Sequence, residues 1–146
     1  MKSRTKARCV ALQVLYEVDM SGHRPESVFS QRLEENPLED NLTEFTSQIV
    51  FGVFPLFEKL DQFISQHAPE WPMDQVAVID RNIIRIALWE FAVSELTPVK
   101  VAINEAIELA KLYGADSTPR FVNGVLGSLA NRQDEIHRYF GPSTNI

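Results

Sequence analysis

The chain has 146 residues, 45% of them hydrophobic and 23% charged, which suffices for one packed domain. Fourteen Lys and Arg stand against twenty Asp and Glu, a net charge of −6, so a uniformly basic nucleic-acid coat is excluded but a local basic patch is not. The single cysteine, Cys9, excludes an internal disulfide framework and a cysteine zinc site. No long apolar run is present, so no membrane span is expected, and no apolar segment follows the basic N-terminus as a secretory signal requires. The expected setting is cytoplasmic and reducing.

Apolar residues recur at helical spacing along the whole chain, so an all-α fold is expected. A first helix, about 4–21, carries the stripe Ala7, Val10, Ala11, Val14, Leu15 and Val18, and Gly22 should end it. A short second helix starts at Pro25 and stops near Asn36, before Pro37. The third segment, about 40–67, buries Leu42, Phe45, Ile49, Val53, Leu56, Leu60, Phe63 and Ile64, and Pro55 should kink or split it. Residues 68–72 are a breaker. A short turn near 73–77 leads to a strongly apolar helix, about 78–94, expected at the centre of the core. Thr97 should cap a helix over 98–113 that ends at Gly114. Thr118 and Pro119 open a last helix, about 119–133, in which Gly124 and Gly127 would allow close approach. The domain organisation expected is a single domain over 1–134, built of about seven helices in two small sub-bundles, about 1–68 and 73–134. Residues 135–146 should form a flexible tail.

Charge is unevenly placed. Residues 1–8 carry Lys2, Arg4, Lys6 and Arg8 and no acid, a net of +4, which leaves −10 on the remainder. A basic arm on an acidic body suits an anionic ligand at one end. A solvated terminus would look the same. Catalytic patterns are absent: no phosphate-binding glycine loop, no HExxH, no CxxC and no GxSxG. His23, His67 and His137 lie far apart. Cys9 follows Arg8, which could lower its pKa, but its apolar neighbours suggest a packing residue. Glu105 and Glu108, with Lys111 one turn on, read as a solvated face rather than a metal site. No enzyme, cofactor or metal is expected.

Three stretches carry a resemblance. They are ARCVALQVLYEVD from Ala7 to Asp19, VIDRNIIRIALWEF from Val78 to Phe91, and KVAINEAIELAKLYGADSTPRFVNGVLGSLA from Lys100 to Ala130. Together the chain resembles the NusB family of transcription antitermination factors over about 1–132. The resemblance implies an all-α fold of two small bundles and no chemistry. It implies a heterodimer with NusE, a small-subunit ribosomal protein, that binds boxA-type single-stranded RNA in nascent rRNA leaders. It further implies assembly with NusA, NusG and RNA polymerase. The family's basic N-terminus falls on Arg4, Lys6 and Arg8, with Thr5 where many relatives carry another basic residue. Tyr16 and Asp80 fall on positions associated with the partner, and Glu17 and Asp19 would add to an acidic face. Tyr16 as half-buried core, and Asp80 as an N-cap or a partner of Arg81, are the plainer alternatives. Trp89 replaces a tyrosine common in the family.

Physical reasoning fills in the RNA side. Arg4 and Arg8 share a helix face, with Lys6 offset, and a guanidinium fork can clamp phosphate or a guanine edge. Gln13 can hydrogen-bond a base. Ser117, Arg120 and Phe121 sit at a helix N-terminus, whose free N–H groups suit phosphate, and Phe121 would stack a base or simply join the core. Lys100 extends the positive rim or is a solvated lysine. Asn104 and Asn123 are expected to tie the two C-terminal helices together by side-chain hydrogen bonds. Three alternatives stay open: a helical protein–protein adaptor with little RNA affinity, a detached NusB-like domain of an rRNA cytosine methyltransferase, and a homodimer that masks its own arm.

Overall fold

The structure is a computed structural model that describes residues 1–67, 70 and 72–141. Most of the breaker expected over 68–72, and the last five residues of the expected tail, therefore lie outside the described residues. Eight α-helices and no strand occur among the described residues. They are α1 Ser3–Ser21, α2 Pro25–Glu35, α3 Asp40–Val53, α4 Phe57–His67, α5 Val78–Leu88, α6 Val99–Tyr113, α7 Thr118–Ala130 and α8 Gln133–Phe140.

Local signals place most of these boundaries. Gly22 adopts φ 74° and its N–H bonds the Val18 carbonyl, so α1 ends in a left-handed cap that glycine adopts without strain. Pro55 splits the long third segment: α3 stops at Val53, a 3-10 turn covers Phe54–Leu56, and α4 resumes at Phe57. The central helix differs from the expected regular run over 78–94. After Leu88 it widens into a π-turn, Trp89–Val93, and the Ser94 hydroxyl donates to the carbonyls of Trp89 and Glu90. Thr97 does not cap α6. Its hydroxyl donates to Glu90 Oε1 at 2.6 Å, and α6 starts without a side-chain cap.

One hydrophobic cluster runs through both halves of the chain. Helix α1 lies between them, packed on α2 and α3 and also on α5 and α6, while α5 packs in turn on α6 and α7. Most of its large fully buried side chains, among them Leu12, Leu15, Ile49, Ile83, Leu88 and Leu126, come from these helices. Burying them supplies the main folding drive, about 1.5–3 kcal/mol per large side chain.

Three expectations are corrected. Residues 135–140 are not a tail: α8 docks through Tyr139 and Phe140 rings 5.3 and 5.5 Å from that of Phe63. Tyr139 also donates to Gln62 Oε1 at 3.0 Å, and His67 Nδ1 lies 3.0 Å from Glu135. Gly124 and Gly127 have nothing within 4 Å of an added Cβ, so neither mediates close approach. The close approach is at Gly52, where a Cβ would stand 2.2 Å from the Trp89 ring. Asn104 and Asn123 are exposed and make no side-chain hydrogen bond among the described residues, because each points away from the α6–α7 contact.

Candidate nucleic-acid and partner interface

The first turns of α1 separate the four basic residues of the arm. Lys2, Arg4 and Lys6 are exposed. Arg8 is buried at 3% exposure, against the expectation that it faces phosphate. The α5 π-turn brings Glu90 against it: Nε and Nη2 donate to the two carboxylate oxygens at 2.9 and 2.8 Å. Nη1 reaches Glu105 Oε1 on α6 at 3.2 Å, and the Thr5 hydroxyl donates to the same oxygen at 2.7 Å. Burial works against the Arg8 charge, but the bonds and charges of Glu90 and Glu105 outweigh it and hold its pKa above the ordinary value. Glu105 is thus an internal ligand of the arm, not part of a solvated face, and only Glu108 pairs with Lys111 there, at 3.4 Å.

Arg4 keeps its guanidinium at the surface, 4.5 Å above the Phe45 ring, with Arg8 5.1 Å from the same ring. The stacked, exposed fork is pre-positioned for an anion. Burial pushes the Cys9 thiol up, so its neighbour Arg8 does not activate it.

Gln13 is half-buried about 14 Å further along α1 at 1.5 Å per residue. Its amide donates to the Tyr113 hydroxyl at 2.8 Å. Tyr113, 38% exposed at the end of α6, was not among the residues expected at the site. The available signal was an aromatic residue just before the helix-ending Gly114.

Ser117, Arg120 and Phe121 meet Asp80 in a cleft of about 550 Å³, completed by residues before α5 such as Gln75 and Val76. Thr118 builds the corner. Its hydroxyl accepts the Ala115 N–H at 2.9 Å and donates to Asp80 Oδ1 at 3.1 Å, which ties the start of α7 to the start of α5. Gly114 makes room for this: a Cβ there would stand 2.5 Å from Thr118. The expected backbone phosphate site at this helix start is reduced, because the Thr118 N–H is taken by the Ala115 carbonyl and Pro119 has none. What remains to meet an anion is Arg120, through its exposed side chain and its N–H. Phe121 is half-buried at the cleft wall. Burial raises the Asp80 pKa against the lowering pull of the Thr118 hydrogen bond.

On the partner side, Tyr16 is 37% exposed, with Met20 one turn on at 58%. Asp80 neither caps α5 with its side chain nor pairs with Arg81. Arg81 instead grips Asp19 with Nε and Nη2, both at 2.8 Å. Arg85 adds a third bond to Asp19 at 2.8 Å, and Asn82 Nδ2 a fourth at 2.9 Å. Burial would raise the Asp19 pKa, but these partners lower it overall. Glu17 pairs with Arg32 at 3.0 Å and His23 at 3.2 Å. The expected acidic face of Glu17 and Asp19 is therefore spent inside the molecule. Among the described residues, no cluster of three or more His, Cys, Asp or Glu could hold a metal, and no helix is long and apolar enough to cross a membrane.

Comparison with known proteins places this geometry in a family. The sequence model of the NusB family matches residues 5–131. The chain is 45% identical over 134 residues to the transcription antitermination protein NusB of Roseiflexus sp. (strain RS-1), covering 90% of this chain and 94% of the relative. It is 44% identical over 131 residues to that of Bacillus pumilus, covering 90% and 96%. Among solved structures it superimposes with a TM-score of 0.82 on a crystal structure of the antitermination factors NusB and NusE in complex with double-stranded RNA. That match has 26% identity and covers 90% of this chain and 98% of the other. NusB of T. maritima also matches with a TM-score of 0.82 and 26% identity, over 94% and 98% of the two chains. The chain belongs to the NusB family of transcription antitermination proteins, which are not enzymes.

Proposed function

We propose that this chain binds boxA-type single-stranded RNA of nascent rRNA leaders as a heterodimer with NusE, and that the pair joins NusA, NusG and RNA polymerase in an antitermination complex. The observation that carries the reading is the charge layout. Lys2, Arg4 and Lys6 stand exposed at one end of α1, on a body whose net charge is otherwise strongly negative. Gln13 pairs with Tyr113 further along α1, and Arg120, Ser117 and Phe121 add a second cationic and aromatic cleft at the start of α7. Phosphates are met at two cationic ends and bases between them, which is how single strands are held. A solved relative carries NusE and double-stranded RNA together, which supports both partner classes. Tyr16 and Asp80 are the residues we assign to the NusE surface. Arg8 belongs to the support of the arm rather than to the RNA surface.

The test is fluorescence anisotropy of a labelled boxA-type RNA, titrated with the chain alone and with NusE, at two salt concentrations. Binding should strengthen with NusE and weaken steeply with salt. Arg4→Ala and Lys6→Ala should each reduce the salt slope by about 0.7, the value of one phosphate contact on a single strand. Absence of RNA binding despite a stable NusE complex overturns the RNA reading and leaves a protein-only adaptor.

A further inference from the structure

A second cleft lies between α3 and the π-turn that follows α5, and no residue assigned above to RNA or NusE lines it. Its volume is about 400 Å³. Phe51, Leu96 and the edge of the largely buried Trp89 give it apolar surface, and Ser47, Gln48 and Ser94 also line it. Three features converge there. The regular helix breaks into the π-turn that begins at Trp89. Glu95 adopts φ 56°, a left-handed conformation that a non-glycine residue holds at a cost. Leu96, next to it, is 48% exposed, although it borders a cleft that could have buried it. The helix defect and the strained Glu95 thus adjoin an apolar slot with the exposed Leu96 at its lip.

The charges around the slot say what fits it. None of the lining residues is basic. Glu95 sits within the lip, and Glu44 is exposed on α3 one turn before Gln48. The cleft at Arg120 differs in having a cation at its wall. The charged groups flanking the slot are Glu44 and Glu95, the latter 3.4 Å from the exposed His137 ring, so a cationic peptide is favoured there over a phosphate chain. We propose that this slot docks a basic segment of a partner protein, which inserts a bulky apolar side chain between Trp89 and Leu96 while its Lys or Arg residues flank Glu44 and Glu95. This is a helix- or strand-in-groove mode with one apolar anchor and a charged rim. It stands independently of the RNA reading.

The experiment uses the full chain carrying Trp71→Phe, which leaves Trp89 as the single tryptophan. The probe is a synthetic octapeptide, acetyl-Lys-Arg-Leu-Leu-Lys-Arg-Leu-Lys-amide, followed by Trp89 emission. A saturable change in emission is expected. It should weaken at least tenfold when the peptide's leucines are replaced by serine, and at least tenfold in Leu96→Ser. Glu44→Lys/Glu95→Lys should also weaken it severalfold and remove its salt dependence. Thermal unfolding of each variant confirms that the fold persists. No emission change overturns the proposal, as does equal binding of the serine peptide, which would mean charge alone. A Trp89 response to oligouridylate rather than to the peptide would assign the slot to RNA instead. Dissociation of a dimer by Leu96→Ser would assign it to a second copy of the chain.

Discussion

The two ends of the α1–α5 contact are built from the same chemistry with opposite polarity. At the arm end, α1 supplies the cation, Arg8, and the π-turn after α5 supplies the acid, Glu90. At the far end, α1 supplies the acid, Asp19, and α5 supplies the cations, Arg81 and Arg85. Only an antiparallel packing of the two helices satisfies both ends. A parallel one would set Arg8 against Arg81 and Asp19 against Glu90. Buried ion pairs add little net stability over apolar packing, yet a mispaired buried charge is costly, so these pairs select an orientation more than they strengthen it. The ends also differ in how closed they are. Arg8 and Glu90 are 3% and 1% exposed, whereas Asp61, which shares Arg85, is 27% exposed. Water can share the load at the far end and not at the arm.

That difference orders the mutational effects. Arg8→Ala strands Glu90 and Glu105 without a cation and should cost about 3–5 kcal/mol in urea unfolding. Arg81→Ala leaves Asp19 with Arg85 and Asn82, so about 1–2 kcal/mol is expected. Equal losses from the two variants would break the asymmetry. Gly52→Ala tests whether the π-turn behind Glu90 is held by packing as well as charge. The new methyl would stand 2.2 Å from the Trp89 ring, and an overpacking cost of about 1–3 kcal/mol is expected by the same measurement.

The legible part of this molecule was the part fixed by the local backbone. Gly22, Pro25 and Pro55 act on their own turns, and the helices start or stop where those residues require. The NusB-like motifs carried the family. The fate of Arg8 was not legible, because Arg4 and Arg8 share one helix face and only Glu90 and Glu105, far along the chain, decide which one is buried. The same holds for Thr97, a good capping residue diverted to Glu90. Ser117, Arg120 and Phe121 are legible together as a helix start, and Asp80 separately as a position the resemblance ties to the partner. Their meeting in one cleft depends on the Thr118–Asp80 bond between two helix starts, which no local pattern encodes. Helix α8 was missed because Gln133–Phe140 is strongly polar, and its docking depends on the distant ring of Phe63.

The finest test lies at the start of α5, since Asp19, which its arginines hold, and Asp80 titrate in opposite senses. The Asp19 pKa is lowered on folding by Arg81, Arg85 and Asn82 despite its burial. Its contribution is therefore complete above about pH 4, the unfolded value, and is lost as pH falls through the folded value. Asp80 is raised by burial, with only the Thr118 hydroxyl opposing. Its protonated form is favoured in the folded state, so its effect on stability is most favourable in acid and declines as pH rises through its folded value. Asp19→Asn should thus destabilise at pH 7 and approach wild type as the pH falls below about 4. Asp80→Asn keeps an oxygen for Thr118 and sheds the buried charge. It should be neutral to slightly stabilising at pH 7, by under about 1 kcal/mol, and should lose that margin in acid. Urea midpoints at pH 7 and pH 3.5 read both. A destabilising Asp80→Asn at pH 7 would mean that the Asp80 charge is held favourably in the fold after all.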